Sequence, residues 1–160
     1  MSLSFSNIYL VDKVKLVELF AHEKWANKEL LEAAGGKPSE RFIELMNHIV
    51  FAQYIWISRL KSEGKTAYSW ENIGLSKITN CIQSNYEVLL ELIKLQDLSA
   101  TIKFKNTEGE EFSRSAIDIL MHLSLHSQYH RGQIASDMSS RGIEVPGTDY
   151  IAYKGHLSSY

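Results

Sequence analysis

Six histidines are the residues of this 160-residue chain best suited to chemistry, and three of them form a ladder: His122, His126 and His130. Side chains four residues apart on a helix lie one turn above each other, so adjacent imidazoles of the ladder can converge on one point. Its two ends cannot. Eight residues at ~1.5 Å rise separate them by about 12 Å, while a metal–nitrogen bond is ~2.0–2.1 Å. One helix therefore presents one chelating pair, and a third ligand must come from another element. His48, set between Leu45 and Ile49, is the natural donor. Each imidazole also has a plainer reading: a single histidine on an apolar face is more often a hydrogen-bonded core residue. Three neutral imidazoles would leave an ion's charge uncompensated and its remaining positions open to water or substrate. Such an ion lowers the pKa of bound water towards neutrality or binds a thiolate. Zn and Ni both suit imidazole nitrogen.

The elements that must position these residues read as helices. Only two prolines, Pro38 and Pro146, interrupt the chain. Val14, Val17, Phe20, Ala21, Trp25, Leu30 and Leu31 recur mainly at threes and fours and predict a first helix over Val11 to Ala34, stopped by Gly35-Gly36. Ser39 is the expected N-cap of a second helix carried by Phe42, Leu45, Met46, Ile49, Ala52, Ile55, Trp56 and Leu60, with Gly64 as its stop. Lys65 to Leu75, with Tyr68 and Trp70, reads as a loop folded back on the helices. A third helix is predicted from Ser76 to about Gln96, then a short β-hairpin between Thr101 and Phe112. The last long helix should start near Ser113 or Ser115, with Asp118 in its first turn, and end near Arg141 before Gly142 and Pro146-Gly147. Four long helices predict an all-α four-helix bundle, one domain over residues 1–160, in which facing helices can build a site in the core.

Composition narrows the function classes. A 44% hydrophobic content supports a sizeable core, and 17 Lys+Arg against 19 Asp+Glu leave no basic field for a nucleic acid backbone. One cysteine, Cys81, forms neither an internal disulfide nor a cysteine-based zinc cluster. It reads as a small buried residue of the third helix. Without a basic, apolar leader or a run of ~18 apolar residues, neither export nor membrane insertion is expected, and a cytoplasmic location is. Arg131 is expected to pair with a first-helix carboxylate, Glu23 or Glu29, and Gln133 to orient His130. Gly132, costing ~1 kcal/mol inside a helix, suggests close approach of a neighbouring helix. His122 reads as a pocket wall, Trp25, Trp56 and Trp70 as packing anchors, and His22 and His156 as surface residues.

His122-Leu-Ser-Leu-His126-Ser-Gln-Tyr-His130-Arg131-Gly132-Gln133-Ile134 resembles the last-helix signature of the DinB family, an HxxxHxxxHRGQI pattern. Trp25-Ala26-Asn27 with Leu30-Leu31 resembles that family's first helix, His48-Ile49 followed by Trp56 its second, and Pro146-Gly-Thr-Asp149-Tyr150 its C-terminal segment. The resemblance spans essentially the whole chain and is weakest between Lys65 and Phe112. It implies a four-helix bundle holding one divalent metal through His48, His126 and His130, and a homodimer. It also implies a small-molecule substrate, with activities that include transfer or isomerisation using low-molecular-weight thiols such as bacillithiol or mycothiol. The C-terminal segment departs in one respect: Lys154 stands where an arginine is usual, keeping the charge without the bidentate fork. The competing expectation is a helical module that binds metal without catalysis, or a metal-free dimeric interaction protein.

Overall fold

The structure, a computed structural model, describes residues 5–63, 73–106 and 108–157, with side chains from residue 12 onward. The expected stop at Gly64 and the loop aromatics Tyr68 and Trp70 lie outside the described residues. Helix α1 spans Phe5–Ala33, beginning ahead of the expected Val11. Gly35 and Gly36 follow it at φ 59° and 74°, a conformation that side-chain-bearing residues rarely adopt. Ser39 then caps α2 (Glu40–Leu60): its Oγ accepts from Phe42 N at 2.9 Å and donates to Asp137 Oδ2 at 2.6 Å. Helix α3 spans Leu75–Leu95.

Strands β1 (Thr101–Lys105) and β2 (Glu111–Ser115) pair antiparallel with Phe104 opposite Phe112 and Ile102 opposite Arg114. The hairpin thus runs past Phe112 to the cap of the next helix. Ser115 Oγ accepts from Asp118 N at 3.2 Å and opens α4 (Ala116–Ser140), and Gly142, at φ 71°, follows its end. A fifth helix, α5 (Tyr150–Leu157), was not expected. Its eight residues are too few to show a period, and Asp149 Oδ1 holds its first turn by accepting from Ala152 N at 2.8 Å.

The four long helices form a bundle in which α2 packs on α3 and α4, and α1 packs on α3 and α4. Helices α1 and α2 are therefore diagonal, and so are α3 and α4. The hairpin lies against α2 and α4, and α5 against α1. Two apolar clusters fill the interior. One, at the hairpin end, contains Leu16, Phe20, Ile57, Leu89, Ile93 and Leu120. The other, at the opposite end, contains Leu30, Phe42, Met46, Ile49, Ile78 and Ile134. Between them each long helix contributes buried polar side chains: Glu23 and Asn27, Gln53, Asn85, and Ser127 and Arg131.

Two expectations are corrected here. A Cβ at Gly132 would meet nothing within 4 Å, so no helix approaches it closely. His22 is buried, because α5 and the segment before it fold back over α1: its Nε2 donates to Thr148 O at 2.8 Å, and its ring lies 5.5 Å from both Tyr150 and Tyr153. His156 is exposed, and it stacks on Trp25 at 5.7 Å. Cys81 is half-buried, and burial pushes its thiol pKa up, which makes it a poor nucleophile. Among the described residues no helix is long and apolar enough to cross a membrane.

Candidate metal centre

Helices α2 and α4 face each other across the level of the buried polar layer, and their contact brings His48, His126 and His130 together. His48 Nε2 stands 3.1 Å from His126 Nε2, and His130 Nε2 stands 3.2 Å from the same atom. One ligand atom from each of the three lies within 4.8 Å of the other two. Two nitrogens bound tetrahedrally at ~2.0–2.1 Å would sit roughly 3.3 Å apart, so these separations fit one ion. The ladder is divided accordingly. The rings of His126 and His130 are 4.5 Å apart, whereas His122 lies 5.6 Å from His126, is exposed, and does not join the group.

The protonation states suit coordination. His130 Nδ1 donates to Gln133 Oε1 at 2.9 Å, which fixes the proton on Nδ1 and leaves Nε2 as a lone pair, the orienting role expected of Gln133. Burial, followed by the neighbouring imidazoles of His130, His48 and His122, pushes the pKa of His126 down to about 4. Burial also lowers that of His48, and the charge of His130 adds to it. Without metal, His126 and His48 are thus held neutral at neutral pH. His126 Nε2 faces two ring nitrogens at hydrogen-bonding distance, and a single proton can serve only one of them; a cation serves all three.

Behind the cluster lies the polar layer. Gln53 Nε2 donates to Glu23 Oε1, and Asn85 Nδ2 donates to Gln53 Oε1 at 3.1 Å and to Val50 O at 2.9 Å. Burial pushes the Glu23 carboxyl up to about 7, against the opposing pull of the Arg131 guanidinium. Of the two carboxylates considered for Arg131, Glu23 is the one whose charge it feels. Arg131 also donates to Gln128 Oε1 at 2.7 Å.

On the hairpin side, one ring beyond the centre, His122 lines a cleft of about 390 Å³ together with Trp56, Phe104, Arg114, Asp118 and Ile119. The pocket-wall expectation for His122 is met, and Trp56 is a wall as well as an anchor, 5.4 Å from the His122 ring. Phe104 and Arg114 had no signal in the sequence, since only the docking of the hairpin brings them here. Tyr129 lies edge-on to His130 at 5.1 Å. In comparison with known proteins, residues 12–156 match the model of the DinB family. No curated protein and no solved structure matches the chain.

Proposed function

Because the chain belongs to the DinB family, we propose that it is a metal-dependent enzyme in which His48, His126 and His130 hold one divalent transition metal, zinc or nickel. The observation that carries this reading is a three-nitrogen group to which, among the described residues, no fourth histidine, cysteine or carboxylate is added. A structural site fills four positions from the protein, whereas a catalytic one keeps a position open. An ion held this way supplies Lewis acidity, and it makes a thiol or water acidic enough to act as a nucleophile at neutral pH.

The chain's own residues do the rest. Gln133 keeps the Nδ1 proton of His130 in place and aims Nε2 at the centre. Burial keeps His126 and His48 unprotonated and ready to coordinate. The cleft beside His122 would receive a small electrophile, to which the thiol or water, having lost its proton, bonds as the leaving group departs to solvent as its anion. The family's thiol chemistry makes S-transfer from a low-molecular-weight thiol the favoured reaction, with hydrolysis second. The test is thioether formation from a thiol panel (L-cysteine, glutathione, bacillithiol) and 1-chloro-2,4-dinitrobenzene, using zinc- or nickel-loaded protein. The loaded protein should accelerate the reaction and His126→Ala should remove the acceleration. Equal rates with both would reject the enzymatic reading.

We also propose a homodimer. Met121, Leu125 and Tyr129 form an exposed stripe on α4 at 39%, 65% and 66% exposure, the kind of apolar face a second copy would cover. Sedimentation velocity should show a dimer that Leu125→Glu converts to monomer; a monomeric parent protein would remove the proposal.

A further inference from the structure

The cleft beside the metal centre has a chemical character of its own. Its walls are aromatic: Trp56 meets Phe104 edge-on at 5.0 Å and 79°, and meets His122 at 5.4 Å and 67°. Arg59 braces these walls, its guanidinium 4.4 Å from the Trp56 ring and 4.8 Å from Phe104, while its Nη2 donates to Lys105 O at 3.2 Å. Flat rings held rigidly favour a flat guest, which can stack or meet them edge-on without loss of contact.

The charges at the rim are unequal. Asp118 is committed to the start of α4: its Oδ2 accepts from Ser115 Oγ at 2.5 Å and its N donates back to that oxygen at 3.2 Å, where the helix dipole favours a carboxylate. Arg114 uses Nη1 on Ser113 O at 2.7 Å. A guanidinium has five N–H donors arranged as a fork that matches a carboxylate. Arg114 is exposed and lines the cleft, so that fork is within a ligand's reach. With Asp118 committed to the helix start, Arg114 is the lining charge left to meet an anion.

We propose that this cleft is the subsite for a planar, unsaturated or aromatic carboxylate, its carboxylate held by Arg114 and its flat body set against Trp56, Phe104 and His122. The His122 ring is 5.6 Å from that of His126, so a guest lying across His122 extends towards the three-imidazole centre. The proposal rests on the metal-centre reading for its chemistry but not for binding.

The test is calorimetric titration of the full chain with trans-cinnamate and with its neutral isostere cinnamamide, using both zinc-loaded and chelator-treated protein. Cinnamate should bind both forms, and cinnamamide should bind about tenfold more weakly, the worth of a charged hydrogen bond. Arg114→Gln should weaken cinnamate by about the same factor and Arg114→Lys should restore part of it. Arg114 is exposed, so neither variant threatens folding. No binding of cinnamate, equal binding of the two ligands, or an affinity unmoved by Arg114→Gln overturns the subsite. So does cinnamate binding that disappears with the zinc, because the carboxylate would then be a metal ligand. Metal content measured on the same samples keeps the two readings apart. Arg114-dependent binding in protein that takes up no zinc would sink the centre and spare the subsite, and Arg114-independent binding in fully loaded protein would do the reverse.

Discussion

At the scale of single residues, the centre depends on which nitrogen carries each proton. Gln133 Oε1 fixes that choice for His130. Gln133→Leu should therefore keep all three ligands yet weaken zinc binding by roughly 10- to 100-fold, the usual effect of losing a ligand's outer partner. Competition with a chromophoric chelator would measure it, and unchanged affinity would show that the hydrogen bond does not matter. The pH response has a definite sign. The His126 imidazole takes its proton near 6.5 in the unfolded chain but only at about 4 in the folded one. In chelator-treated protein the stability contributed by His126 should thus be full above about pH 6.5 and lost as the pH falls to about 4, opposite in sign to that of Glu23, whose raised carboxyl favours the fold as the pH falls from about 7 to 4.5. Relative to His126→Gln, which keeps the Glu23 contribution, the parent's urea midpoint should fall as the pH drops from 6.5 to 4, and a difference that does not change with pH would contradict it. The ladder itself was legible in the sequence, because i, i+4 spacing dictates convergence. Which adjacent pair it supplies was not. The resemblance, not the spacing, separated His126 and His130 from His122, and the structure adds the reason: α2 presents His48 to that pair and Trp56 to His122.

At the scale of elements, the periodic helices were readable and their non-local partners were not. The caps Ser39 and Ser115 and the stops at Gly35, Gly36 and Gly142 are local chemistry, and the structure places them as expected. Helix α5 and the burial of His22 depend on a return of the chain over α1 that no local pattern encodes. The polar layer is a similar case: Asn27, Gln53 and Asn85 sit at bundle positions where apolar residues are the rule. Its energetic signature is a pH-dependent one. Burial raises Glu23 to about 7, so ionising it works against the fold as pH rises from 4.5, and Arg131 limits that loss. In Arg131→Met the carboxyl would titrate higher still. Relative to the parent, the variant should lose stability as the pH rises from 5.5, where Glu23 is neutral in both, to 9, where the parent's Glu23 is ionised beside Arg131. A stability difference that does not change with pH would mean that the two charges are not coupled.

For the molecule as a whole, the two apolar clusters lie at opposite ends of the bundle and neither includes a ligand histidine. With both ends of the bundle filled by apolar side chains, the metal-free protein should keep its helicity. What the whole assembly adds is the meeting of α2, α4 and the hairpin, which sets three imidazoles beside an aromatic cleft. The central claim is that these three imidazoles hold a metal. The most direct measurement is elemental analysis of protein purified without a histidine tag and without chelators, beside His48→Ala, His126→Ala, His130→Ala and His122→Ala, with circular dichroism on each. About one equivalent of zinc or nickel in the parent and in His122→Ala, with loss in the other three and helicity kept in all, is the predicted result. No metal above background after reconstitution at neutral pH, or full metal retained by both His126→Ala and His130→Ala, would contradict it.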